Sequence, residues 1–77
     1  MASDFIKLSK AKIGDNLVVH SVCGDDLRAQ LLEMGLTMGS KVQKLYTAPF
    51  GDPIAIDVEG FVLSLRKSEA DLILVIN

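Results

Sequence analysis

Residues 54–65, Ile54-Ala55-Ile56-Asp57-Val58-Glu59-Gly60-Phe61-Val62-Leu63-Ser64-Leu65, decide the fold. Ile54, Ile56 and Val58 alternate with Ala55, Asp57 and Glu59, the period-two pattern of a half-buried strand. Glu59-Gly60 makes a tight hairpin turn, and Phe61, Leu63 and Leu65 continue the inward face on the returning strand. Just before this hairpin stands Ala48-Pro49-Phe50-Gly51-Asp52-Pro53, which holds both prolines of the chain. Proline fixes φ and glycine permits positive φ, so this loop is a stiff corner with a phenylalanine at its tip.

Upstream, Asn16–Val22 is rich in β-branched residues and reads as a strand. Asp25 is placed to N-cap a helix, and Leu27, Leu31 and Met34 recur at helical spacing as one apolar stripe. Gly35 ends that helix in the left-handed conformation, with Leu36 folding back onto Leu31. Residues 41–48 form a second strand in which Val42 and Leu45 both face inward only across a bulge. Downstream of the hairpin, Ser68–Asp71 reads as one helical turn with Ser68 as N-cap and Asp71 reaching back. Leu72–Ile76 closes the chain as a last strand. About five short strands and one helix after the first strand make a small, mostly antiparallel barrel, a single domain over residues 1–77.

Composition narrows function. A net charge of −2, with the eight lysines and arginines scattered, argues against nucleic-acid or acidic-membrane binding. The one cysteine, Cys23, leaves no internal disulfide and fits a reducing compartment. The longest apolar run is far short of the roughly 20 residues that span a bilayer, and the N-terminus lacks the apolar core of a secretory signal. The expected setting is the cytosol, without membrane insertion.

The chemical inventory is thin. His20 is the only histidine. Together with Cys23, Asp25 and Asp26 it forms the one candidate metal set, with ligand types suited to Zn²⁺ or Fe²⁺. On a continuous strand, however, His20 and Cys23 point to opposite faces. A packed or half-buried Cys23 accounts for that residue without reactivity, and the carboxylates fall at turns, caps or outward positions. No phosphate-cradling glycine loop is present. An enzyme is not expected, and no cofactor beyond weak divalent metal binding.

Three stretches read together carry a resemblance: LLEMGLTMGSKV (31–42), APFGDPIAI (48–56) and LSLRKSEADLILV (63–75). They resemble the ferrous iron transport protein A family, FeoA, in its "GL-x-x-G" turn, "AP-x-GDP" hairpin and "L-x-LR" strand. LSKAKIGD (8–15) is similar to the family's opening, and Met38 stands where the family usually has proline. The resemblance implies an SH3-like barrel, also similar to the C-terminal domain of iron-dependent repressors. It implies an accessory role beside the membrane transporter, ferrous iron transport protein B, whose cytosolic part binds GTP. On that reading Leu32, left over beside the helical stripe, and the loop residues Pro49, Phe50, Asp52 and Pro53 form the partner-binding surface. The alternative is an Fe²⁺ sensor or carrier using His20, Cys23, Asp25 and Asp26. A weaker third role, an arginine finger for the GTPase, falls to Arg28 or Arg66.

Overall fold

The computed structural model describes residues 5–77. Its strands are β1 (Ile6–Lys7), β2 (Asn16–Val22), β3 (Lys41–Thr47), β4 (Ile54–Val58), β5 (Phe61–Leu65) and β6 (Ile73–Ile76). The helix α1 (Asp25–Glu33) follows β2, a single helical turn α2 (Lys67–Ala70) follows β5, and a 3₁₀ turn spans Leu8–Lys10. All strand pairs are antiparallel, in the order β1-β6-β2-β3-β4-β5. The expected five strands become six because the two-residue β1 pairs with β6, so α1 follows the second strand.

The β4–β5 hairpin forms in the expected register, from Val58↔Phe61 at the turn to Ile54↔Leu65 at the far end. Glu59 (φ 49°) and Gly60 (φ 106°) both take positive φ, the backbone that matches strand twist in a two-residue turn. Ile54, Ile56 and Val58 are fully buried, and Leu63 and Leu65 nearly so. Phe61 departs from the expected inward face: it is 42% exposed. Its ring lies over Gly35 at the end of α1, so that a Cβ on Gly35 would sit 3.2 Å from Phe61 Cζ.

Two bulges set the side-chain parity elsewhere. In β3 the register shifts between Lys44 and Tyr46. The bulge falls at Leu45, leaving it half-buried, while Lys44 and not Leu45 joins Val42 on the inward face. In β2 the shift lies between Val19 and Ser21, so His20 is the extra residue and Val19 and Val22 can both turn inward. The core gathers Leu8, Leu17, Val19, Leu31, Leu36, Ile54, Ile56, Val58, Ile73 and Val75 around these strands. Inward residues come from every strand from β2 to β6, so the sheet curls around a single core.

The helix is shorter in its apolar face than its spacing predicts. Leu31 is buried and Leu27 packs part-buried against the core, but Met34 is 41% exposed. Gly24, and not Asp25, is the N-cap; Asp25 is the first helical residue and pairs with Arg28. At the C-terminus the expected geometry forms in full. Gly35 takes φ +95°, its N–H donates to Leu32 O, and Leu36 N–H donates to Leu31 O at 2.9 Å, the paired bonds of a Schellman end.

Candidate functional site

The loop between β3 and β4 is built from its own hydrogen bonds. Gly51 N donates to Ala48 O at 2.7 Å, closing a β-turn with Pro49 and Phe50 at its centre, and Ala48 N donates to Pro53 O at 3.0 Å. The Asp52–Pro53 peptide is cis. Asp52 anchors the loop from outside: its carboxylate accepts from the backbone N–H of Lys67 at 3.0 Å. That N–H opens α2, where no earlier turn supplies an acceptor. The neighbouring N–H, of Arg66, donates to the Glu69 carboxylate at 2.8 Å. Arg66 is therefore the N-cap of α2, two residues before the expected Ser68. Of the loop's candidate partner contacts, Asp52 serves first as a cap within the chain.

Phe50 is 98% exposed. It does not fold beneath its hairpin; the braced turn holds it out into solvent, with Pro49 and Pro53 exposed beside it. Leu32, also exposed, lines a separate groove of 270 Å³ with Val22, Ala29, Leu36 and Met38. The two candidates are not brought together. Gly35, three residues past Leu32, meets Phe61 at the turn end of the β4–β5 ladder, whereas the Phe50 loop enters β4 at the other end.

A second polar arrangement ties the opening segment to the sheet. Lys44 is buried, and its Nζ donates to Ser9 O at 3.1 Å and Ala11 O at 2.8 Å. Burial lowers its pKa, while the charge of Asp15 works in the opposite sense. Ser9 Oγ in turn donates to Asp71 Oδ1. That hydrogen bond, with Lys67 and Lys7 nearby, lowers the Asp71 pKa against a smaller opposing effect of burial. Asp71 therefore does not cap its own helical turn as expected but fastens it to the 3₁₀ turn. In the sequence Lys44 is one of eight scattered basic residues. The only signal of its burial is its place two residues after Val42, on the same face of β3.

The candidate metal ligands stay apart. His20 is exposed on its bulge, stacked at 4.0 Å on Phe5, with Nδ1 3.2 Å from Ser21 Oγ. Cys23 is exposed and not half-buried; Asp25 holds Arg28, and Asp26 is exposed. Among the described residues no three His, Cys, Asp or Glu side chains form a group that could hold a metal ion, and no helix is long and apolar enough to cross a membrane.

Comparison with known proteins places this geometry. The FeoA domain model matches residues 6–77. The solution structure of the FeoA protein from Chlorobium tepidum is 40% identical, with a TM-score of 0.86 over 92% of this chain and 69% of that one. The zinc-complexed FeoA of Stenotrophomonas maltophilia, described as a procaryotic SH3 domain protein, is 29% identical, with a TM-score of 0.76 over 91% of this chain and 88% of that one. A manganese-dependent transcriptional repressor shares the fold alone: 16% identity and a TM-score of 0.88, over all of this chain and 44% of the repressor. No curated protein matches significantly. With the family match covering the whole sheet, the loop and the α2 turn that braces it, the chain belongs to the FeoA family, whose members are associated with ferrous iron transport and carry an SH3-like fold.

Proposed function

We propose that this protein is a cytosolic accessory module of ferrous iron uptake that docks, through the Pro49–Pro53 loop, on the GTP-binding domain of the membrane ferrous iron transporter. The observation that carries the reading is Phe50, 98% exposed on a loop fixed by three hydrogen bonds. A loop whose backbone is ordered before contact loses less conformational freedom on binding, and exposed aromatics of this kind supply a large share of interface energy. The Stenotrophomonas relative has itself been put forward as a ferrous iron transport activating factor. A resident metal on His20, Cys23, Asp25 and Asp26 draws no comparable support. Arg28 is engaged with Asp25, which leaves Arg66 as the freer arginine for a catalytic contact to a GTPase.

The test is capture of the transporter's GTP-binding domain by the purified protein, with and without guanine nucleotide. Retention of that domain by the wild type, reduced about tenfold or more by Phe50→Ala, is the expected result. Failure of the wild type to retain it in any nucleotide state overturns the reading.

A further inference from the structure

The sheet ends on one side in β5, and β5 is unlike a guarded edge. Exposed edge strands are normally short, charged, kinked or covered, because their free N–H and C=O groups recruit other strands. The opposite edge obeys this: β1 is two residues long and half of it is Lys7. β5 is five residues, Phe-Val-Leu-Ser-Leu, without a charge or a proline. Val62 is 62% exposed and Phe61 42%.

The hydrogen-bond parity of β5 is fixed by its hairpin. In a two-residue turn the flanking pair, Val58 and Phe61, exchanges hydrogen bonds, so Phe61, Leu63 and Leu65 turn their backbone groups toward β4. Val62 and Ser64 turn theirs outward. Among the described residues β5 is hydrogen-bonded only to β4, and no loop or turn bond reaches Val62 or Ser64. A shallow depression beside the second half of the strand is lined by Ser64, Leu65 and Arg66 together with Asp52, Pro53 and Glu69.

The occupant that fits is a second copy of this chain. Two β5 strands laid antiparallel with Leu63 opposite Leu63 put Val62 opposite Ser64, the pair whose N–H and C=O groups face outward. Phe61 then stands opposite Leu65, so the face that carries Leu63 is apolar from end to end. The same register brings the turn of each copy, which carries Glu59, beside the segment that leaves β5 of the other, which carries Arg66 and Lys67. Neither Glu59 nor Arg66 has an ionic partner among the described residues, and Lys67 has only Asp71 at 3.6 Å. Shifting the register by two residues in either direction keeps the backbone parity but separates these charges. We infer that the protein self-associates through β5 in a symmetric antiparallel dimer centred on Leu63, with Glu59 of each copy facing the Arg66–Lys67 segment of the other at both ends. A single edge of five residues buries less than a standard interface, so the dimer is weak and concentration-dependent.

Sedimentation equilibrium of the full chain, from about 10 µM to about 1 mM, reads the association directly. The expected result is a monomer–dimer equilibrium in that range. Val62→Lys, at an exposed position, weakens it at least tenfold. Glu59→Lys or Lys67→Glu alone weakens it about fivefold, the double reversal restores it, and mixing the two single variants yields a heterodimer. Amide exchange on the wild type needs no variant: protection at Val62 and Ser64 rises with protein concentration, while Phe61, Leu63 and Leu65 stay protected throughout. A wild type that remains monomeric at about 1 mM overturns the proposal. So does a dimer indifferent to Val62→Lys, or Val62 and Ser64 protection that ignores concentration. A dimer in which the double reversal behaves no better than either single one overturns the register.

Discussion

Phe50 and Phe61 sit at opposite ends of one hairpin ladder, and the molecule treats them in opposite ways. At the turn end, Glu59 and Gly60 are exposed, and Phe61 lays its ring over Gly35 at the end of α1. At the other end the loop backbone is tied to itself and to α2, and its phenylalanine touches solvent on nearly every side. The first is a contact that holds two elements together. The second is an investment of backbone order around a side chain that contributes almost nothing to the core. That contrast separates an apolar residue kept for folding from one kept for a partner more cleanly than exposure alone.

The largest expected effect breaks the folding end. Gly35→Val forces a β-branched residue into positive φ and drives its Cβ against the Phe61 ring. Strain and overpacking together cost about 3 kcal/mol, which lowers the melting temperature by about 12 °C or more in a domain this small. An unchanged melt would mean that the Phe61–Gly35 contact holds nothing. Next comes Lys44→Ala, which strips a charged donor from two carbonyls, Ser9 O and Ala11 O, beneath the 3₁₀ turn. A loss of about 2 kcal/mol is expected in a denaturant titration, with partner binding by the folded fraction unchanged.

Asp52→Ala sharpens the comparison, because it loosens the binding end without touching Phe50. Losing the cap on Lys67 N–H costs about 1 kcal/mol of stability. Affinity for the GTP-binding domain should fall as well, since the loop is no longer held in place. If affinity is unaffected, bracing is irrelevant to the grip.

A smaller effect appears with pH. The Asp71 carboxylate has a lower pKa folded than unfolded, through Ser9 first and the nearby lysines second. Its contribution is therefore present above the unfolded value near pH 4 and is lost as pH falls through the folded one. Melts of the wild type should decline below about pH 4 more steeply than those of Asp71→Asn. Parallel curves would remove Asp71 from the clamp.

The hairpin, the left-handed Gly35 and the exposed Phe50 were legible because each is a local signal: strict alternation, a glycine after an apolar run, an aromatic between two prolines. What escaped was non-local. Lys44 reads as a surface cation until its place on the Val42 face of β3 sets it beneath the Ser9–Ala11 segment, whose carbonyls take its charge. The cap of α2 comes from Asp52, fifteen residues earlier in the chain, and Ser9 reaches Asp71 across 62 residues. The helical stripe overreached for a related reason: its spacing marks Met34 as apolar-facing, but the core ends at Leu31 and Leu36. Phe50 is exposed, as its place between the two prolines predicts, whereas Leu32 falls on a different surface of the molecule.

The most direct measurement is a calorimetric titration of the transporter's GTP-binding domain with wild type and Phe50→Ala, each first shown by its melt to be folded. Truncating a residue that is 98% exposed should change stability by about 0.5 kcal/mol or less. The account predicts that the same variant binds about tenfold or more weakly, a loss of at least about 1.4 kcal/mol. Equal affinities for the two proteins, or a variant destabilised by the roughly 3–5 kcal/mol of a lost core phenylalanine, would contradict it.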